Sequence, residues 1–478
     1  MTEIQRIHIV HTNDLHSRFH NMAKIATYIK ELKKEAVVNG ERVLAADLGD
    51  HLDRVQMETE GTKGMINIEL LNRSGVDVAT IGNNEGITFT KEELKRIYSQ
   101  KSFKLLACNL KEIETNSSPS WLEDYYIQEV NGLRIGWVGV TAPYKIFYKL
   151  QGWQVEAPLE PLRRIVQELK SQVDILILLS HLGFRGDEKI AEALPEIDVI
   201  LGGHTHLFFE VGAKKADQAL ICQVGIYGEY LGHLTIDYDI ESKRIESLKE
   251  KTISLADYAA DPELLEIIER NRLIANKELS TPITYLQEPL DISLDSESAL
   301  GNLLADGVKK WVKADIGLVN AGQILAGLGT GLVTKKMLHQ ICPSPINTCK
   351  LKLSGQQIKT VLEQSLLDEY KYLQLQGYGF RGKELGTLSV SGITIEYDLL
   401  LPKYQKIQRI LFAGSLLEPQ QEYLVGTLDM FTFGGGYGLI GEGREIEYFV
   451  PEFIRDILAF FLPDSRFIEE GLVTRWVR

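Results

Sequence analysis

The chain has 478 residues, 44% hydrophobic and 25% charged, with a formal net charge of -14. This length and composition predict two or three globular domains and argue against a disordered or fibrous protein. The acidic balance argues against a nucleic-acid polymer or an anionic membrane as partner, because phosphate backbones bind basic surfaces.

Small phosphorylated substrates remain compatible with this charge, because bound cations can reverse the local sign. The N-terminus reads Met-Thr-Glu-Ile-Gln-Arg, and we find neither a signal-peptide region before the first apolar segment nor an apolar run that could span a bilayer. The cysteines lack the paired spacing of a thiolate zinc site. We therefore expect reduced thiols in a cytoplasmic protein, and the alternative is a secreted protein with disulfides.

The first half of the chain alternates short apolar runs with amphipathic segments. Predicted strands are 7–11, 43–48, 76–81, 104–108, 133–140, 174–179 and 199–201. Predicted helices are 21–35, 64–72, 91–100, 162–172 and 188–194. Asn21 is the predicted cap of the first helix. Because the strands are nearly all apolar, we expect an α/β fold whose sheets are covered on both faces.

The pattern changes after about Ser254, where Pro262 stands at the first position of an amphipathic segment. We predict three segments: a catalytic domain over 1–255, a linker helix over 256–280 and an α+β domain over 281–478. Predicted helices of the last domain are 299–312 and 355–367. Its predicted strands are 316–320, 388–397, 407–412 and 422–427.

Polar side chains follow the ends of five predicted strands in the first half. The strings are Asp14-Leu15-His16, Gly49-Asp50, Gly82-Asn83-Asn84-Glu85, Ser180-His181 and Gly202-Gly203-His204-Thr205-His206. Ligands of open α/β sheets bind at the carboxyl ends of the strands. We therefore expect these side chains to converge on one rim, by which we mean the edge where the carboxyl ends of the strands lie.

The residue types suit two divalent cations, which need about four ligands each and one group that contacts both. Asp50 is the natural bridging carboxylate, and His204 and His206 could serve different ions. Mixed His and carboxylate ligands favour Mn, Zn or Fe over Ca or Mg. Each string alone has a simpler explanation, such as a turn at Asn83 or a packed His181. Their joint occurrence on one predicted rim argues against that explanation.

On these strings the N-terminal half resembles the calcineurin-like metallophosphoesterases. The whole chain resembles the bifunctional 5′-nucleotidase / 2′,3′-cyclic phosphodiesterase family. The resemblance implies a four-layer αββα catalytic domain with a C-terminal substrate domain. One ion would be held by Asp14, His16, Asp50 and His206. The other would be held by Asp50, Asn83, His181 and His204.

The sequence departs from the family where a Gly-Asn-His-Glu string, followed by an aromatic residue and Asp, is expected. Asn84 stands at the His position and Ile87 at the Asp position. Asn84 can donate a hydrogen bond to phosphate but cannot act as an acid near neutral pH. Loss of general acid catalysis costs roughly 10²–10⁴-fold in rate. We expect a slow phosphomonoesterase or a preference for leaving groups that need no proton, such as phosphoanhydrides.

Two nearby residues are candidates to compensate. The string Gly49-Asp50-His51-Leu52-Asp53-Arg54 is similar to one in the Ser/Thr protein phosphatases, where the Arg binds phosphate. Arg54 could offer two donors to phosphoryl oxygens, and His51 is a candidate acid. For both, the alternative is a solvated loop residue.

The C-terminal domain also departs from the family pattern. Leu325 stands at the arginine position of the substrate motif that begins at Asn320, and Thr387 stands where an aromatic is expected. The Gly-rich loop that ends at Tyr437 has a glycine in place of its acidic residue. Candidate substrate residues are Asn320 and three aromatics that could stack on a base or belong to the core. These aromatics are Phe431, Phe433 and Tyr437.

The predicted function is metal-dependent hydrolysis of phosphate esters, most of all nucleotides, by attack of a metal-bound hydroxide on phosphorus. The activity would be that of a 5′-nucleotidase-like phosphomonoesterase or a related phosphodiesterase or pyrophosphatase. Asn84 and Arg54 would stabilise the negative charge that develops on the phosphoryl oxygens in the transition state. The alternative is a catalytically degenerate protein that binds a nucleotide or metal, which the changes at Asn84, Ile87 and Leu325 motivate. A structural role in a nucleotide-processing complex is a weaker third option, and the oligomeric state cannot be predicted.

Overall fold

The computed structural model describes residues 4–209 and 219–478, together with the backbone of 214–216. The chain divides into two compact units, Met1–Ala275 and Asn276–Arg478. The helix Pro262–Leu279 crosses this division. A separate linker over 256–280 therefore stays a prediction.

The first unit alternates strands and helices along most of its length. Its strands are β1 (Ile4–Thr12), β2 (Arg42–Asp47), β3 (Val78–Thr80), β4 (Lys104–Leu106), β5 (Leu110–Glu112), β6 (Tyr125–Val130), β7 (Leu133–Thr141), β8 (Trp153–Val155), β9 (Ile175–His181), β10 (Val199–Gly202), β11 (Lys214–Ala216), β12 (Ala219–Cys222), β13 (Tyr230–Asp239) and β14 (Arg244–Ser254). Its helices are α1 (Phe19–Val38), α2 (Met57–Thr62), α3 (Met65–Ser74), α4 (Asn83–Thr88), α5 (Lys91–Tyr98), α6 (Lys145–Leu150), α7 (Leu159–Leu169), α8 (Phe184–Ala193) and α9 (Pro262–Leu279).

Two six-stranded sheets form the centre of this unit, with strand orders β14-β13-β1-β2-β3-β4 and β11-β12-β10-β9-β7-β6. Strands β1 to β4 are parallel, as are β7, β9, β10 and β12. Apolar residues of both sheets, such as Ile9 and Ile177, share one buried cluster. Helices α1, α3 and α5 cover the outer face of the first sheet, and α7 and α8 cover that of the second. The predicted αββα arrangement is confirmed.

The start of α1 differs from the prediction. The helix begins at Phe19, and its cap residue Arg18 makes no capping side-chain hydrogen bond. Asn21 lies inside the helix and donates its amide to the Tyr227 carbonyl (2.9 Å). By contrast, α9 begins at Pro262 as predicted, because Asp261 Oδ1 accepts the N–H groups of residues 263 and 264.

The second unit is a mixture of helices and mostly antiparallel strands, as predicted. Its strands are β15 (Pro282–Leu286), β16 (Ile316–Asn320), β17 (Gly331–Thr334), β18 (Asn347–Ser354), β19 (Leu388–Ser391), β20 (Ile393–Tyr397), β21 (Ile407–Phe412), β22 (Ser415–Leu416), β23 (Glu422–Leu428), β24 (Arg444–Phe453) and β25 (Trp476–Val477). Its helices are α10 (Ala299–Val312), α11 (Lys335–Ile341), α12 (Gly355–Ser365), α13 (Asp368–Lys371), α14 (Asp429–Thr432), α15 (Ile454–Phe461) and α16 (Ser465–Gly471), with 3-10 turns at Ala321–Gln323 and Gly438–Glu442.

The predicted strand 388–397 is two strands in different sheets. Strand β19 lies in the five-stranded sheet β19-β16-β23-β18-β24, whereas β20 lies in the four-stranded sheet β22-β21-β20-β25. Gly392 separates them with φ of 82°, a conformation that breaks an extended strand and suits glycine.

The four cysteines are buried free thiols. Among the described residues, each helix is too short or too polar to cross a membrane.

Candidate metal centre

The candidate ligands lie at the carboxyl ends of strands from both sheets. Asp14, Asp50 and Asn83 follow β1, β2 and β3 of the first sheet. His181 ends β9, and His204 follows β10 of the second sheet. The predicted rim is thus shared by two facing sheets, because the strands of both end on the same side.

Two groups of possible ligand atoms form at this rim, each with its atoms within 4.8 Å of one another: Asp14, His16 and His206, and Asp14, Asp50 and His181. His206 Nε2 lies 3.4 Å from Asp14 Oδ1. His181 Nε2 lies 3.3 Å from Asp50 Oδ1, and His16 Nε2 lies 3.9 Å from Asp50 Oδ2. The carboxylates of Asp14 and Asp50 therefore lie between His16 and His206 on one side and His181 on the other.

Within the described part of the chain, four ligand atoms at the rim are buried without a hydrogen-bond partner: Asp14 Oδ1, His16 Nε2, Asn83 Oδ1 and His181 Nε2. A buried polar atom without a partner costs about 1–3 kcal/mol. Divalent cations would pair with all four, because carboxylate, amide oxygen and imidazole are ordinary ligands of such ions. The residues present therefore fit the cations that the resemblance implies.

The imidazoles are held through their other ring nitrogens. His181 Nδ1 lies 2.7 Å from the Leu48 carbonyl oxygen. His16 Nδ1 lies 3.2 Å from Asp53 Oδ2 and 2.9 Å from Asn84 Nδ2. Such contacts fix the tautomer and orientation of a ligating histidine. The Asn84 amide nitrogen thus lies beside His16, a position that the sequence did not predict.

The fourth imidazole, His204, has its Nε2 3.1 Å from the Tyr144 hydroxyl. This contact leaves its Nδ1 as the nitrogen open to a cation. The backbone N–H of His204 also donates to Asp14 Oδ2 (2.9 Å). The loop after β10 is therefore fixed to the loop after β1.

Left-handed backbone conformations concentrate at the rim. The φ angles are 50°, 43°, 51°, 74° and 57° at Asp14, His16, Asp50, His204 and His206. Non-glycine residues adopt this region seldom, and each such position costs of order 1 kcal/mol or more. The backbone is therefore not extended at Asp14 and His16, and it turns there to bring both side chains to the rim.

Glu85 fixes the loops that carry Asp50 and Asn83. Its Oε2 accepts the N–H groups of Asp50 (2.9 Å) and Gly82 (2.8 Å), and its Oε1 accepts that of Leu52 (2.7 Å). A β-carbon at Gly82 would collide with the Asp50 carboxylate. Glycine is therefore required where the two loops meet.

The charges at the rim are strongly interdependent. Burial opposes ionisation of Asp14, but the adjacent His206 imidazole and the charge of His181 lower its pKa. Burial also opposes the charge on His181, yet Asp50 and Asp14 raise its pKa to about 10. Burial and the charge of His181 lower the pKa of His204 to about 4, which leaves a neutral imidazole at neutral pH.

The predictions for Arg54 and His51 are contradicted. The Arg54 Nε and Nη2 donate to Glu60 (2.7 and 2.9 Å), and its Nη1 donates to the Thr88 carbonyl (2.9 Å). His51 is fully buried, with Nδ1 2.9 Å from Asp47 Oδ1 and Nε2 3.2 Å from the Tyr98 hydroxyl. Neither side chain is available to a phosphate in this arrangement.

Most of the substrate residues predicted in the second unit belong to its core. Phe431 and Tyr437 have no exposed surface, so neither can stack on a base. Asn320 is also fully buried, and its amide donates to the Leu385 carbonyl (2.7 Å). Phe433 is 44% exposed and stacks on Tyr448, so it is the one predicted substrate residue that the structure leaves accessible.

Several residues that shape the rim were not predicted. Asn13 joins two loops, since its Nδ2 donates to Asp14 Oδ2 (2.8 Å) and the Gly225 carbonyl (2.6 Å). Asp53 and Tyr144 orient histidines from segments far along the chain. Glu85 and Asp53 stood inside recognised strings, but neither of them was assigned a role from the sequence.

Comparisons with known proteins agree with this geometry. The family model of calcineurin-like phosphoesterases matches residues 7–208, and that of the 5'-nucleotidase C-terminal domain matches residues 282–441. YunD, an uncharacterized metallophosphoesterase of Bacillus subtilis (strain 168), is 39% identical over 460 residues, or 96% of this chain and 99% of that protein. The snake venom 5'-nucleotidase of Gloydius brevicauda is 25% identical and is matched over 82% of this chain and 73% of its own.

Among solved structures, the NAD nucleotidase of Haemophilus influenzae has a TM-score of 0.68 over 96% of both chains, at 16% sequence identity. At this identity the likeness shows the fold alone. The family assignment rests on the two family models and on the relative at 39% identity. The chain belongs to the calcineurin-like metallophosphoesterases that carry a 5'-nucleotidase C-terminal domain, a family of metal-dependent enzymes that hydrolyse phosphate esters.

Proposed function

We propose that this enzyme hydrolyses nucleotides at a phosphoester or phosphoanhydride bond, with two divalent cations (Mn, Zn or Fe) at the rim. The ligands would be Asp14, His16, Asp50, Asn83, His181, His204 and His206. The main support is the set of four buried ligand atoms without hydrogen-bond partners. The nucleotide as substrate rests on the names of related proteins, among them the snake venom 5'-nucleotidase.

When bound, the cations would polarise the phosphoryl group and activate water. The protein holds their ligands in fixed positions before substrate arrives. Asp53 holds His16, the Leu48 carbonyl holds His181, and Tyr144 holds His204. Such pre-organisation reduces the reorganisation that the reaction would otherwise require.

Arg18 is our candidate for the phosphate contact first assigned to Arg54. It is exposed and lies two residues after His16, with its guanidinium 4.3 Å from the Tyr227 ring centroid. The Tyr227 ring in turn lies 5.8 Å from that of His16. In the described part of the chain the Arg18 guanidinium has no hydrogen bond or ion pair, so its planar donors stay available to phosphoryl oxygens.

The leaving group decides which esters react fastest. Asn84 cannot protonate it, and His51 is enclosed by Asp47 and Tyr98. We infer that the enzyme favours leaving groups that depart without a proton, as in phosphoanhydrides, over alkyl monoesters.

A substrate panel tests the proposal. Monoesters, 2′,3′-cyclic diesters and nucleoside diphosphates are incubated with the enzyme and Mn²⁺ or Zn²⁺, with Asp50→Asn as the matched inactive control. We expect metal-dependent hydrolysis, measured as phosphate from monoesters and diphosphates and as ring-opened monoester from the cyclic diesters, with a rate that falls steeply as the leaving group becomes more basic. Binding of cations and nucleotide without turnover of any substrate would instead support the degenerate binding protein.

A further inference from the structure

A second group of metal-binding side chains lies between the two sheets of the first unit. It consists of His11 on β1, Cys222 on β12 and Glu250 on β14, and one ligand atom from each lies within 4.8 Å of the others. His11 and Cys222 have no exposed surface, and the Glu250 side chain is 2% exposed. The group shares no residue with the rim ligands.

Two polar atoms of this group are buried without a partner. His11 Nε2 lies 2.9 Å from Glu250 Oε1, but His11 Nδ1 and Glu250 Oε2 make no hydrogen bond to any residue that the structure describes. A buried His–Glu pair alone leaves both atoms unsatisfied, at about 1–3 kcal/mol each. A further ligand-type contact is therefore needed to account for this arrangement.

Space for the group comes from Gly232, which pairs with His11 between β1 and β13. A β-carbon at Gly232 would collide with the His11 ring and lie 2.5 Å from Glu250 Oε1. The missing side chain thus opens a pocket across β13, between His11 and Glu250. Cys222 belongs to the facing sheet and to the buried cluster between the sheets.

We propose that His11, Cys222 and Glu250 hold a third divalent cation, of the zinc class, between the two sheets. Cysteine, histidine and carboxylate are the usual protein ligands of Zn²⁺. A thiolate and a carboxylate neutralise a doubly charged ion, so the loaded site carries no net charge into the core. Binding forms a sulfur–metal bond and releases the thiol proton to solvent.

Without a cation the same side chains would form only a neutral thiol beside the 2.9 Å contact between His11 and Glu250. Burial raises the pKa of the Cys222 thiol well above its ordinary value, so the thiolate needs the metal to form. Because the ligands come from both sheets, the ion would join them below the rim.

Cobalt spectroscopy separates this site from the rim, because the rim ligands are carboxylates, an amide and imidazoles and include no sulfur. The full chain is produced in cobalt-supplemented medium, since the buried site would be loaded during folding. We expect a near-ultraviolet thiolate-to-cobalt charge-transfer band in the wild-type protein. Cys222→Ser should abolish the band, and the control Cys108→Ser, another buried thiol of the first unit, should retain it.

A measurement on the wild-type chain covers the case in which Cys222→Ser does not fold. X-ray absorption at the zinc edge should then show a sulfur neighbour at about 2.3 Å. The proposal fails if cobalt shows only the visible bands of nitrogen and oxygen ligands and zinc shows no sulfur neighbour. In that outcome phosphatase activity and the visible cobalt bands still report on the rim, so the proposed function is judged separately.

Discussion

Replacing Glu85 by Gln should both destabilise the first unit and weaken its hold on cations. The carboxylate accepts three backbone N–H groups, from Asp50, Leu52 and Gly82. Glutamine offers one oxygen, so if it serves Asp50 and Gly82, its NH₂ group faces the Leu52 N–H. A buried donor left unsatisfied costs about 1–3 kcal/mol. The two remaining hydrogen bonds also become weaker, because a neutral amide oxygen replaces a charged carboxylate. Burial raises the pKa of Glu85, which limits that second loss, and we expect about 2–4 kcal/mol in total.

Cation affinity should fall because the loops of Asp50 and Asn83 lose their common anchor. Removing such a supporting partner typically weakens metal binding by roughly 10–100-fold. Urea unfolding of the metal-free protein measures the first effect, and calorimetric Mn²⁺ titration measures the second. Glu31→Gln, at an exposed position of α1, is the control. Wild-type stability together with wild-type Mn²⁺ affinity in Glu85→Gln would refute this account of the loops.

Three further outcomes are expected. Asp50→Asn should fold but lower kcat/KM by roughly 100-fold or more, because it removes a carboxylate that lies 3.9 Å from His16 Nε2 and 3.3 Å from His181 Nε2; steady-state kinetics at saturating Mn²⁺ checks this. Arg18→Ala should lower kcat/KM by roughly 10–100-fold through a lost charge-assisted contact, and Arg18→Lys should restore only part of it; equal rates in all three proteins would remove Arg18 from the site. Burial raises the pKa of Asp429 to about 7, above its unfolded value of about 3.9. The folded state therefore binds the proton more tightly, and the stability from this group is lost as pH rises from about 4 to 7, by at most about 4 kcal/mol. Asp429→Asn should flatten that dependence in thermal unfolding curves between pH 5 and 8, and an unchanged slope would contradict the assignment.

The sequence predicted the rim well because its ligands follow apolar strands, and strand periodicity is a local signal. Asp14, Asp50 and His181 therefore came together as expected. That the rim joins two sheets was not predictable from local pattern. The position of His181 and His204 depends on the pairing of β9 with β10 and on the packing of one sheet against the other. Both are contacts between segments that are separated in the sequence.

The sequence was misleading where a residue's partner lies outside its own string. Arg54 matched a phosphate-binding pattern, but the Glu60 carboxylate on α2, a helix that was not predicted, binds its guanidinium. Phe431 and Tyr437 lie near a Gly-rich stretch typical of ligand loops, yet both pack in the core. Aromatic residues have the same local signature in either setting, because burial depends on distant segments.

The division of ligands between two facing sheets has a consequence for biogenesis. An isolated half of the domain would present only part of each coordination sphere, so neither could recruit the ions tightly by itself. Metal binding should thus come late in folding, after the two sheets have packed together. The bound ions should then slow the separation of the sheets. Chelation of the mature enzyme would accordingly shorten its lifetime against proteases.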